Sequence, residues 1–236
     1  MRALVLQHIA CEPPGVFEDV LVDRGVELDR VELDEGDRLP EWRDFDLIVA
    51  MGGPMGAYQE ADHPWLIAEK ALIKAATDAG TPFWGSCLGS QVLASALGAE
   101  VYPGPEPEVG VLPVFLTAAA AEDPVFGPLP GPLSTLQWHG DTFELPVGAE
   151  LLATSPQYRH QAFRVGRAYG VQFHVEVTAS MAAQWAEVPA YREAAAAILG
   201  VSGLDRLLAD LTAHLAPMQV AAQQLFGRWL DVAGCR

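Results

Sequence analysis

Residues 2–7 (RALVLQ) form a short apolar run ending at His8, the pattern of a strand buried on both faces. Residues 16–24 fit a first helix, and residues 26–33 alternate as a second strand. Residues 46–50 (DLIVA) form another apolar run, which stops at Gly52-Gly53-Pro54. Residues 64–79 predict a helix with a proline at its start and Gly80 beyond its end. Residues 81–85 read as a strand, and residues 88–97 as a helix closed by Gly98. Strands alternating with helices of this length predict βαβ units. The fold class is therefore α/β, with a mainly parallel central sheet and flanking helices.

The rhythm changes after residue 101. Short β-like runs separated by Gly/Pro turns follow at 111–117, 133–138, 151–153, 161–165 and 169–173. From about residue 178 the chain is helical again, and Leu204, Leu207, Leu208, Leu211 and Leu215 fall on one helical face. Packing against the sheet accounts for that stripe better than a partner-binding face does. No repeat or linker interrupts the chain, so residues 1–236 are expected to form a single domain with a helical C-terminal tail.

Composition narrows the function classes. The 31 acidic residues outnumber 14 basic ones, for a net charge of −17, and Lys70 and Lys74 are the only lysines. Without a basic run there is no electrostatic footprint for nucleic acid or an anionic membrane surface. No segment reaches the roughly 18 unbroken apolar residues of a membrane span, and the first residues lack the order of a signal peptide. Cys11, Cys87 and Cys235 are an odd number and far apart, which fits neither a disulfide framework nor a zinc site. A cytoplasmic location is the expectation.

The sharpest local signal is Gly85-Ser86-Cys87-Leu88-Gly89-Ser90-Gln91, where a strand ends and a helix begins. Small residues flanking a central nucleophile permit a sharp turn and leave room around its side chain. A cysteine there feels the positive end of the helix dipole, which favours thiolate, and the free N–H groups can hold an oxyanion. A buried structural cysteine in a tight turn fits the same five residues. A base would separate the two readings. His174-Val175-Glu176 follows the apolar run 169–173, and residues two apart on an extended segment share a face. Glu176 can then orient His174, as in a nucleophile–base–orienter arrangement. A structural histidine, or His-x-Glu as metal ligands, is the competing reading, although the other histidines show no ligand spacing. Gly52-Gly53-Pro54-Met55-Gly56 follows a strand and offers backbone N–H groups at the same sheet edge, if it is more than a turn.

Together these segments resemble the class I glutamine amidotransferase family. The resemblance rests on Gly52-Gly53-Pro54, residues 85–91 and Gln172-Phe173-His174-Val175-Glu176, in that order, and covers about residues 1–178. Trp138-His139-Gly140-Asp141 is similar to the corresponding segment of the GMP synthetase amidotransferase domain, and the whole resembles the free-standing GMP-synthase-like members. The resemblance implies a flavodoxin-like architecture, Cys87 as nucleophile, His174 as base and Glu176 as its orienter. It implies an oxyanion hole from the N–H groups of Gly53 and Leu88. It places Gln91, Gly140 and Asp141 around the substrate, with no cofactor and no metal. Val175 departs from the family's usual proline, which would stiffen the segment, so a looser His–Glu geometry is expected.

The implied reaction hydrolyses glutamine, or a related γ-glutamyl small molecule, through a cysteine thioester. The ammonia would pass to an acceptor, and a separate synthetase chain is the candidate partner. Neither Ser-Gly-Gly-x-Asp-Ser nor G-x-x-x-x-G-K-[ST] occurs here, so the chain is not expected to make GMP alone. A free-standing γ-glutamyl peptide or amide hydrolase and a non-catalytic binding protein on the same scaffold are the other readings.

Overall fold

A computed structural model describes residues 1–200 and 202–235. Strands β1 (Arg2–Gln7), β2 (Glu27–Glu32), β3 (Leu47–Ala50) and β4 (Phe83–Ser86) alternate with helices α1 (Val16–Asp23), α2 (Trp65–Asp78) and α3 (Leu88–Ala96). Then come β5 (Val101–Leu116), α4 (Ala118–Ala121), β6 (Leu133–Phe143), β7 (Glu150–Thr154), β8 (Ala162–Val165) and β9 (Ala168–Val171). Helices α5 (Ala179–Trp185), α6 (Pro189–Leu199) and α7 (Gly203–Ala233) follow.

Among the described residues, nine strands form one sheet in the order β2-β1-β3-β4-β9-β8-β7-β5-β6. The pairings from β2 to β9 are parallel. Those from β9 to β6 are antiparallel. Expected and observed boundaries agree within one or two residues for the α/β half. The antiparallel half departs further. β5 begins ten residues before its expected start, and β6 continues to Phe143. The prolines at 103, 105 and 107 hide β5 in the sequence. The ladder absorbs them at a register shift between Pro103 and Glu108, as bulged edges do. The alanines after Thr117 form the short α4, whose N-terminus is capped by the threonine hydroxyl.

Successive residues of β1 serve opposite faces of the sheet, as expected for a strand covered on both sides. Ala3 and Val5 join a core with Phe17, Trp84, Phe226 and Trp229, whereas Leu4 and Leu6 join one with Ile48, Leu66, Ile73 and Val92. Thus α1 and α7 cover one face, and α2 and α3 the other. The expected leucine stripe lies on α7, where Leu207 and Leu211 are buried and Leu204, Leu208 and Leu215 pack partly buried against the same core. Further along α7, the Phe226 ring stacks on Phe17 at 4.4 Å and meets Trp84 edge-on at 5.6 Å. Each such buried side chain is worth about 1.5–3 kcal/mol, so the tail helps to hold β4, which leads into Cys87. Among the described residues, no helix is long and apolar enough to cross a membrane.

Candidate active site

Four strands adjacent in the sheet, β1, β3, β4 and β9, end at one edge. Parallel strands release their carboxyl ends together, and a crevice forms there. These ends deliver His8, Gly52-Gly53, Cys87 and the segment 172–176 side by side.

Cys87 follows β4 with φ +49° and ψ −109° and caps α3. Among the described residues it is the one non-glycine with positive φ, a conformation that costs about 1–3 kcal/mol. Its own N–H is tied to Val171 O at 2.8 Å, and Gly89 N–H to Met51 O at 3.0 Å, so both neighbouring strands hold the turn. The flanking glycines are required by contact. A Cβ at Gly89 would overlap the Ala50 carbonyl, and one at Gly85 would sit 2.5 Å from Gly89 O. Among the described residues, neither the Leu88 nor the Gly53 N–H has a hydrogen-bond partner. A Cβ at Gly53 would fall 3.0 Å from the Leu88 side chain, so the two residues pack closely.

The segment 172–176 runs on beyond β9, held by Gln172 N–H to Gln161 O at 2.8 Å, by a bridge between His174 and Leu136, and by Val16 N–H to Glu176 O at 2.9 Å. That course turns His174 and Glu176 inward. His174 Nδ1 meets Glu176 Oε1 at 2.6 Å, and the imidazole lies within electrostatic reach of the Cys87 sulfur. The Trp185 ring stands edge-on to His174 at 4.7 Å. Burial alone would lower the His174 pKa, but Glu176 and Cys87 together raise it well above the ordinary value. For Cys87 burial dominates and pushes the thiol up, while the charge of His174 pulls it down and Glu12 and Glu176 push it up further. The helix terminus and the base, the two features visible in the sequence, both favour thiolate. The burial of Cys87, a residue only 7% exposed, is a counterweight that only the fold reveals.

Cys87 opens into a cavity of about 170 Å3, lined by Gly53, Gln91, His139, Gly140, Asp141 and Tyr191 among others. This is smaller than the ~300–1,000 Å3 of drug-sized ligand sites, so it suits a small metabolite. Asp141 offers a carboxylate whose pKa is raised by partial burial, and Tyr58 Oη lies 3.5 Å from it. His139 is fixed by Asp141 O at 2.9 Å and by buried Glu108 at 3.2 Å.

A family model described as glutamine amidotransferase class-I matches residues 16–185. The chain belongs to the class I glutamine amidotransferase family. It is 34% identical to the glutamine amidotransferase-like protein YfeJ of Salmonella typhimurium over 75% of this chain and 77% of that one. It is 33% identical to the glutamine-hydrolyzing GMP synthase subunit of Ignicoccus hospitalis over 58% of this chain and 70% of that one. It is 29% identical to gamma-glutamyl peptidase 4 of Arabidopsis thaliana over 64% of this chain and 62% of that one. A solved glutamine amidotransferase from Thermotoga maritima superposes with a TM-score of 0.87 at 33% identity, over 98% of both chains.

The structure brings the residues singled out from sequence into one region: His174 pairs with Glu176 within electrostatic reach of Cys87, Leu88 follows Cys87 and packs close to Gly53, and Gln91, Gly140 and Asp141 line the cavity with Gly53 and Cys87. Others were missed. Gln172 donates from Nε2 towards Cys87 Sγ at 3.6 Å, and Gln91 Nε2 in turn holds Gln172 Oε1 at 3.1 Å. Buried Glu12 bonds to the Tyr191 hydroxyl and faces His174. Ala190, Tyr191 and Ala194 bring α6 into the cavity wall. Nothing in an alanine-rich tail signals such a position, whereas Gln172, two residues before His174 on an extended segment, shares its face.

Proposed function

We propose that this protein hydrolyses the side-chain amide of glutamine, or a related γ-glutamyl amide, with a Cys87–His174–Glu176 triad. One observation carries this reading: a buried cysteine in a strained strand-to-helix turn opens onto a cavity, within electrostatic reach of an imidazole that is itself held by a carboxylate at 2.6 Å. A merely structural cysteine does not need that strain, that partner or an opening onto a cavity.

The substrate amide sits over Cys87, with its ammonium against Asp141 and its carboxylate near the Gly140 backbone. The Cys87 thiolate attacks the amide carbon, and the N–H groups of Gly53 and Leu88 take up the developing oxyanion. As the C–N bond breaks, imidazolium His174 gives its proton to the leaving ammonia. Neutral His174 then takes a proton from water, the hydroxide attacks the thioester carbon, and the C–S bond breaks. Glutamate leaves, and thiolate and imidazolium are restored. General acid–base transfer of this kind is worth about 10²–10⁴ in rate and one oxyanion donor about 10²–10³. Glu176 keeps the imidazole in the tautomer that presents Nε2 to sulfur.

Treatment with a diazoketone analogue of glutamine tests this. The expected result is a single adduct mapped to Cys87, and no turnover of glutamine by Cys87→Ala. Adducts spread over Cys11 and Cys235, or full activity in Cys87→Ala, would overturn the reading. Glutamine binding with no thioester would point to a binding protein.

A second reading changes only the leaving group. Ala190 and Ala194 are small residues in the cavity wall, which leaves room for an amine larger than ammonia. The likeness to a gamma-glutamyl peptidase supports the same point. Cleavage of γ-glutamyl dipeptides by the isolated chain favours this reading. Glutaminase activity that rises only on adding a synthetase chain favours a two-chain amidotransferase, as the likeness to a GMP synthase subunit suggests.

A further inference from the structure

His8 lies at the end of β1 and is fully buried. Its Nε2 meets Glu69 Oε1 at 2.8 Å, and Glu69 is itself fully buried. Its Nδ1 faces the Gly52 carbonyl oxygen at 3.2 Å. Trp65, one helical turn before Glu69 on α2, stacks on the imidazole at 5.6 Å. The ring therefore has no freedom to turn. Sequence spacing gave His8 no role.

We infer that His8, held by Glu69 and Trp65, is a positioning residue that fixes the Gly52–Gly53 peptide so that the Gly53 N–H faces the reacting carbonyl. This rests on the proposed hydrolysis. In a trans peptide the C=O and the next N–H share one plane and point in opposite directions. A donor on Gly52 O therefore sets the direction of Gly53 N–H. It also polarises the same amide, which makes that N–H a stronger donor. The contact leaves the loop no slack, because a Cβ at Gly53 would meet His8 Cβ at 2.9 Å.

Stability does not account for the pair. Burying a histidine–carboxylate pair gains little over an apolar pair of the same size, and Glu69 Oε2 has no partner among the described residues. Burial alone would lower the His8 pKa, but Glu69 and the Gly52 carbonyl outweigh it and favour the charged ring, which places positive potential behind the peptide that would bind the oxyanion.

The test exploits the shape of two replacements. Glutamine carries its amide where imidazole has Nε2, so His8→Gln keeps the reach to Glu69 and loses the Gly52 bond. Asparagine carries its amide where imidazole has Nδ1, so His8→Asn keeps the Gly52 bond. It is made together with Glu69→Gln, so that no charge is stranded. His8→Gln is expected to lower kcat for glutamine about 100-fold, in the range of a lost oxyanion donor, with KM within about threefold. Alkylation of Cys87 by iodoacetamide, a displacement that forms no oxyanion, stays within about twofold. The His8→Asn/Glu69→Gln protein recovers about tenfold or more of the lost kcat. Wild-type kcat in His8→Gln overturns the inference. So does a parallel loss of hydrolysis, alkylation and melting temperature in both variants, which marks a purely structural pair. A wild-type chain that turns over no γ-glutamyl amide overturns the functional reading, and this one with it.

Discussion

The backbone N–H of Val175 donates to Glu176 Oε2 at 2.9 Å, while Oε1 of the same carboxylate meets His174 Nδ1 at 2.6 Å. The valine that replaces the family's usual proline therefore does more than leave the backbone freer. A proline has no N–H to give, so the departure expected to loosen the His–Glu pair supplies a second anchor for the carboxylate. Both oxygens of Glu176 are committed to donors.

This makes Glu176→Gln a severe change. An amide has one acceptor oxygen for two donors, so either Val175 or His174 faces an NH2 group. We expect kcat/KM to fall by about 10²–10⁴, in line with loss of the correct imidazole tautomer. The pH profile moves as well. Glu176 helps to raise the His174 pKa, so in the wild type the imidazolium persists above the ordinary histidine value and the alkaline limb of kcat/KM lies above about pH 6.5. Removing the carboxylate charge withdraws that support, and the limb shifts to lower pH. A limb that stays in place would show that Glu176 does not act on His174.

Strain at Cys87 predicts an inversion of the usual residue order. At φ +49° a side chain is penalised and glycine is not. Cys87→Gly is expected to be more stable than Cys87→Ala by about 1 kcal/mol, measured from urea midpoints, and both are inactive. Alanine equal to or above glycine would mean that the turn stores no strain.

Asp141 is the carboxylate in the cavity wall, and its raised pKa reflects the burial penalty that an incoming ammonium would relieve. Asp141→Asn should raise KM for glutamine about tenfold, the value of one charged hydrogen bond, and leave kcat within about twofold. A fall in kcat at constant KM would move Asp141 from substrate binding to the chemistry.

The parallel half of the fold and the position of its candidate site were legible because local patterns coincide with local physics. β1 and β3 are unbroken apolar runs buried on both faces, and Gly85 and Gly89 mark a turn that admits no side chain. β5 was half hidden because prolines imitate a loop when a bulge can absorb them. Glu12, His8 and Tyr191 were invisible for a different reason. Each acts through a contact far away in sequence, His8 with Glu69 and Glu12 with Tyr191, and a single buried polar residue in an apolar run has no periodicity to announce it. Gln172 lay inside a recognised segment, yet only the fold shows that its amide reaches the sulfur.

That amide yields a direct test of how the thiol is activated. Gln172 is fully buried, with Nε2 3.6 Å from Cys87 Sγ and Oε1 held by Gln91 at 3.1 Å. A fixed N–H donor stabilises thiolate over thiol and offsets part of the burial that pushes Cys87 up. Gln172→Met keeps the length of the side chain and removes the donor. We expect iodoacetamide labelling of Cys87 at pH 7 to slow about tenfold, equivalent to one pKa unit of thiolate population. Half-buried Cys11, whose thiol burial and Glu12 push up to about 11, serves as the internal standard on the same peptide map. An unchanged ratio of Cys87 to Cys11 labelling would remove Gln172 from thiol activation and leave His174 as the sulfur's main support.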